Sequence, residues 1–223
     1  MFHIKSGILS NGMGGKFYRN TQLFAMRNER YKNKFNVTIH NDLFLKPLSW
    51  KKPRMIFVNS MSDLFHESID DRTILELFDT MNQANWHKFQ ILTKRSERLV
   101  KLSHKIKWMP HVWLGVTVEN SSVIHRISQL KSTGAITKFV SFEPLLSSVK
   151  EADLSGIDWV IVGGESGPRS RPLEIKWVDE IFSICSKSCI PFFFKQWGGT
   201  NKKKTGRLYR NKIYDQFPSS LRT

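Results

Sequence analysis

Apolar residues in this chain come in short unbroken runs, each followed at once by polar residues and then by a helical stripe. A strand is expected over 54–59, and within it residues 55–58, Met-Ile-Phe-Val, have no polar position, as for a strand buried on both faces. Pro53 before them cannot donate to a sheet ladder and suits a strand start. Then the chemistry changes: Asn59, Ser60, Ser62, Asp63, His66 and Glu67 are all polar. The spacing of Ile74, Leu77, Phe78 and Met81 predicts a helix over 70–84 with one apolar stripe.

The same unit recurs down the chain. A strand over 88–93 ends in Lys94-Arg95, and Ser96 can cap a helix over 96–107. A strand over 112–117 ends in Val118-Glu119-Asn120; its helix, 121–131, puts Val123, Ile124, Ile127 and Leu130 on one side. A strand over 137–142 ends in Glu143-Pro144. A strand over 158–163 ends in Gly164-Glu165-Ser166, and the helix over 174–187 is expected to bury Trp177, Ile181 and Ile184. A last strand over 190–195 ends in Gln196-Trp197. Before the first unit, residues 1–36 are irregular and basic, with a candidate helix over 21–34. Residues 37–40 read as a short strand, and Asn41 can cap a helix that Pro47 keeps short. Beyond Gly198 the chain reads as a basic, loosely ordered tail, 199–223.

Strands alternating with amphipathic helices predict a parallel sheet with right-handed crossovers. A doubly wound nucleotide fold would carry G-x-G-x-x-G after a strand, and residues 163–167 have the wrong spacing. All six strands end in polar or charged residues, which favours an α/β partial parallel barrel over 37–198 with its functional loops at one mouth.

Size and composition permit one sizeable core: 223 residues, 40% of them hydrophobic. No apolar run approaches a membrane span, and Met1-Phe-His-Ile-Lys lacks the order of a secretory signal, so the cytoplasm is the expected location. Cys185 and Cys189 are the only cysteines; two thiols complete neither a disulfide framework nor a metal site. Lys and Arg number 35 against 19 acids, a formal net charge of +16, which makes nucleic acid the expected partner. One basic cluster is Arg27, Arg30, Lys32 and Lys34. Another is Lys202, Lys203, Lys204, Arg207, Arg210 and Lys212, with Tyr209 and Tyr214 interleaved as candidate stacking platforms.

The strand ends collect the candidate chemistry. Asp63, Glu119, Glu143 and Glu165 would face Lys94, Arg95 and Lys195, a mixture suited to a zwitterionic or phosphorylated ligand. For any one of these acids, capping a helix or pairing a nearby base is an equal alternative. No nucleophile system stands out, since Gly164-Glu-Ser-Gly167 falls one residue short of an esterase elbow. His66 and His87 are isolated and read as surface or capping residues.

Six segments carry a resemblance: residues 61–66, 92–95, 113–120, 141–146, 159–168 and 193–198. In this order they resemble an uncharacterised family common in phages and prophages, known for a three-cysteine motif near its amino terminus. That family is grouped with radical S-adenosylmethionine (SAM) barrels and resembles spore photoproduct lyase in the order of its strand-end motifs. The resemblance implies that Asn59, Ser60, Ser62 and Asp63 approach the SAM amino group and that Thr117 and Glu119 lie along its ribose and carboxylate, with Glu143 and Glu165 in the same ring. It also implies that Lys94, Arg95, Lys195 and Gln196 meet an anionic substrate. The family's iron–sulfur cluster sits on C-x3-C-x2-C, which is absent from this sequence. The chain also reads as starting after the cluster loop, with the first barrel strand missing. Two expectations follow from that: a truncated form of a longer radical enzyme, or a barrel that lost its cluster and was kept for binding. As written, the chain is expected to hold no cofactor.

Overall fold

The computed structural model describes Ile39, residues 43–58 and residues 62–218, apart from the side chains of Lys202 and Lys203. The expected helix over 21–34, all but Ile39 of the strand over 37–40, and the Asn41 cap fall outside those residues, as do Asn59 and Ser60. Of the short helix expected after Asn41, the described residues show a 3-10 turn, Lys46–Ser49, with Pro47 in its first positions.

The strands are β1 (Met55–Val58), β2 (Lys88–Thr93), β3 (Val112–Thr117), β4 (Thr137–Phe142), β5 (Trp159–Gly163) and β6 (Phe192–Gln196). They form one all-parallel sheet in chain order. A doubly wound sheet breaks chain order at its switch point, so unbroken order is the winding of a barrel-type α/β fold.

The chain divides into two compact units. The first, Met1–Trp113 with Gly134–Ile136, holds among its described residues β1, β2 and the helices α1 (Asp71–Gln83) and α2 (Ser96–Ser103). Asp70 caps α1 by accepting the Thr73 N–H at 2.8 Å, and the expected stripe of Ile74, Leu77, Phe78 and Met81 is buried. α2 is shorter than the pattern predicts. Ser96 is its buried first residue, not its cap, because Arg95 occupies the cap position and makes no capping bond with its side chain.

The second unit, Leu114–Thr133 with Thr137–Thr223, holds the end of β3, then β4, β5, β6 and the remaining helices. The helix expected over 121–131 is broken into a 3-10 turn, Ser121–Val123, and α3 (His125–Lys131); the Asn120 side chain caps the turn through the Ser122 N–H. α4 (Ile175–Lys187) buries Val178, Ile181 and Cys185, with Trp177 and Ile184 half-buried beside them. A last short helix is α5 (Lys202–Thr205).

The tail differs most from expectation. Residues 206–218 pack along β6: the Phe194 N–H donates to the Tyr214 carbonyl at 2.9 Å, and the Trp159 indole N–H to the Gln216 carbonyl at 2.8 Å. Tyr209 is fully buried among Phe182, Phe192, Phe194 and Trp197. An edge strand needs a cover, and the aromatic residues in this basic segment supply it.

Candidate functional site

In the first unit, Asp63 follows β1 and its carboxylate is fully engaged. Oδ1 accepts the Phe65 N–H at 3.0 Å and the Thr93 hydroxyl at 2.7 Å. Oδ2 accepts the Lys94 N–H at 2.9 Å and faces the Arg95 guanidinium at 3.1 Å. Arg95 also grips Glu67, with Nε 2.9 and 3.0 Å from its two oxygens. A backbone N–H and that guanidinium hold the Glu67 carboxyl below its usual range. Arg98, which sequence reasoning did not single out, donates to the carbonyls of His66 and Ile69 and to Asp71 at 2.8 Å. Two arginines one helical turn apart therefore strap the loop after β1, and their i, i+3 spacing was the available signal.

In the second unit each strand-end acid has a cation. Arg126 of α3 places one nitrogen 2.8 Å from the Thr117 carbonyl and 2.9 Å from Glu119 Oε2. Both side chains are mostly buried, and Thr117 itself is buried. After β4, Glu143 Oε2 meets Lys195 Nζ of β6 at 2.8 Å. Its other oxygen lies 3.4 Å from the Gln196 amide nitrogen, which donates to Ser166 Oγ at 2.7 Å. Glu165 is held by Arg171 through two guanidinium contacts, 2.8 and 2.9 Å, and by the Arg171 N–H. These bonds pull the Glu165 carboxyl down to about 2. Arg126 and Arg171 were not among the sequence candidates, because nothing local marks an arginine six or seven residues away as a partner.

Glycine closes the exits of β5 and β6 onto each other. The Gly164 N–H donates to the Gln196 carbonyl at 2.9 Å, and the Gly199 N–H to the Glu165 carbonyl at 2.7 Å. Gly198 has φ +84, and a side chain there would run into the Glu165 carbonyl. Ser166 and Gln196 are thereby held on adjoining loops.

In the tail, Arg210 pairs with Asp179 at 2.9 Å and lies over the Phe182 and Tyr209 rings. Arg207 donates to the Phe194 carbonyl at 3.3 Å and covers Phe193 at 4.8 Å. Both expected nucleic-acid residues thus contact their own fold; Lys204 is exposed, and the side chains of Lys202 and Lys203 lie outside the described residues. Among the described residues, no three His, Cys, Asp or Glu side chains are placed to hold a metal ion, and no helix is long and apolar enough to cross a membrane.

A family model described as "Protein of unknown function (DUF5131)" matches residues 15–218. The chain belongs to that family. No curated protein matches it. The family match spans residues of both units and every strand-end residue above.

Proposed function

We propose that the protein is a radical-SAM-type barrel, of the kind carried by phages and prophages, that binds a zwitterion of the SAM class at the carboxyl ends of β4, β5 and β6. One observation carries this reading: an acid, a cation, an amide and a hydroxyl (Glu143, Lys195, Gln196 and Ser166) meet at the ends of three neighbouring parallel strands. Ligands of parallel α/β folds sit at that end. The Glu143–Lys195 pair is 20% and 45% exposed, so water reaches it and a ligand can replace it. Glu143 would then accept from the ligand's ammonium group, while Lys195 and Gln196 would donate to its carboxylate. Asp63, whose oxygens are filled by its own loop and the end of β2, is given no ligand contact in this reading.

The cluster chemistry of that fold requires three thiolates. The chain has two cysteines, both near the end of α4. Burial pushes the Cys185 thiol up to about 12, so it stays protonated. These residues do not fit the cluster, and no radical step is assigned to them; the function proposed is binding, in the cytoplasm of the host.

Titration calorimetry of the purified chain with SAM tests the proposal. Binding that Lys195→Met and Glu143→Gln each weaken at least about tenfold is expected, the loss of one charge-assisted contact. An unmodified chain that takes up no SAM at millimolar concentration would overturn it.

A further inference from the structure

The loops that lead into β1, β2 and β3 lie at the opposite end of those strands from the acids. Residues 43–58, 84–88 and 104–111 carry seven Lys or Arg and no Asp or Glu. Four of the cations precede β1: Lys46, Lys51, Lys52 and Arg54, all exposed. Lys88 opens β2, and the exposed Lys105 and Lys107 precede β3. None of the seven pairs with a carboxylate among the described residues, whereas Arg95, Arg126, Arg171 and Lys195 all do.

The loops are tied together by backbone and ring contacts. The Lys88 N–H donates to the Arg54 carbonyl at 2.8 Å, and the Phe89 N–H to the His111 carbonyl at 2.8 Å. Buried His87 accepts the Arg54 N–H at Nδ1, 3.1 Å, and its Nε2 lies 2.9 Å from the Pro47 carbonyl. Two indoles sit among the cations. The Trp86 N–H donates to the Trp50 carbonyl at 2.7 Å, which fixes a ring that remains 38% exposed. The Arg54 guanidinium lies 4.5 Å over the Trp50 ring, so an exposed cation is held against a π face.

We propose that this face binds single-stranded nucleic acid, the lysines tracking phosphates while Trp86 and the Arg54–Trp50 pair receive unstacked bases. Clustered cations with no carboxylate partner among the described residues supply the counterion-release term, and fixed aromatic groups supply sequence-tolerant stacking. A duplex keeps its bases stacked and offers the indoles nothing. An anionic membrane is met by an amphipathic helix with an apolar face, and these loops contain no α-helix. Tail residues Arg207 and Arg210, by contrast, are already committed to Phe194, Phe193 and Asp179.

Fluorescence anisotropy with labelled oligothymidine, using the full chain across a salt series, tests this. Affinity should fall with a log–log slope of about −0.7 per phosphate contacted. The exposed double variant Lys51→Glu/Lys52→Glu, checked for an unchanged melt, should weaken binding about tenfold or more and flatten that slope. Trp86→Ala should weaken binding about tenfold without changing the slope, and Trp86→Phe should restore part of it. Lys204→Ala should bind like the parent. The proposal is overturned if the double variant binds like the parent, if a duplex of the same length binds as tightly, or if phosphatidylserine vesicles compete the oligonucleotide away at equal phosphate concentration.

Discussion

Lys195 of β6 reaches across β5 to place its ammonium 2.8 Å from Glu143, which follows β4. The contact joins the exits of two strands that share no backbone bonds. Because the pair is partly exposed, Glu143→Gln should change stability by less than about 1 kcal/mol. SAM affinity should nevertheless fall at least about tenfold, the loss of one charge-assisted contact. Parallel melts and calorimetry check this, and a large loss of stability would instead make the pair a structural bolt.

Glu165 should contribute acid-sensitive stability. Its folded pKa, about 2, lies below the ordinary 4.5, so the Arg171 contacts favour the fold fully above pH 4.5. That contribution is lost as the pH falls from 4.5 through about 2. Chemical denaturation at pH 5.5, 4 and 3 should show a decline that Glu165→Gln makes shallower.

His87 and His111 act in a higher window. Burial lowers both imidazole pKa values from 6.5, and each ring bonds a backbone carbonyl, Pro47 for His87 and Met81 for His111. An imidazole with a lowered folded pKa supports the fold fully only where it is neutral, above about pH 6.5. The Tm should therefore fall between pH 7.5 and 5.5, and His87→Gln should lower the Tm at pH 7.5 while reducing the slope. A Tm that is flat across this range would contradict the assignment.

Gly198 and Gly156 separate two costs of a side chain. Both have positive φ, +84 and +71, but only Gly198 faces a carbonyl, that of Glu165. Gly156→Ala should cost about 1 kcal/mol from backbone strain alone. Gly198→Ala should cost more, about 3 kcal/mol or above, and should loosen Ser166 and Gln196. Denaturant midpoints of the two variants give the comparison.

The two thiols should differ in reactivity. Cys185 is buried with its pKa pushed up to about 12, while Cys189 is exposed. A disulfide reagent at pH 8 should titrate one thiol rapidly in the native chain and the second only after denaturation.

Much of the fold was legible in the order of residues. Strands such as 88–93, 112–117 and 137–142 were readable to the residue, because a strand buried on both faces is mostly apolar and its end is marked by the first run of polar groups. The positions of Asp63, Glu119, Glu143 and Glu165 at strand ends followed from that. Their partners did not. Arg126 for Glu119, Arg171 for Glu165 and Lys195 for Glu143 depend on how loops and crossovers return through space, which periodicity does not encode. The α4 stripe was misjudged for a related reason: Trp177 and Cys185 are both apolar enough to be buried, and only packing chose Val178, Ile181 and Cys185.

Sequence by itself therefore determined the alternation of buried strands and helices, the net charge of +16 and the absence of a three-thiol motif, since these depend on residue type and local spacing alone. Tertiary structure decided which charges are spent. It neutralised the strand-end acids in pairs, turned Tyr209 and the tail inward over β6, and gathered cations from three distant loops into one face that, among the described residues, pairs with no carboxylate. Those outcomes rest on contacts between residues far apart in the chain, made only once the parallel strands lie side by side.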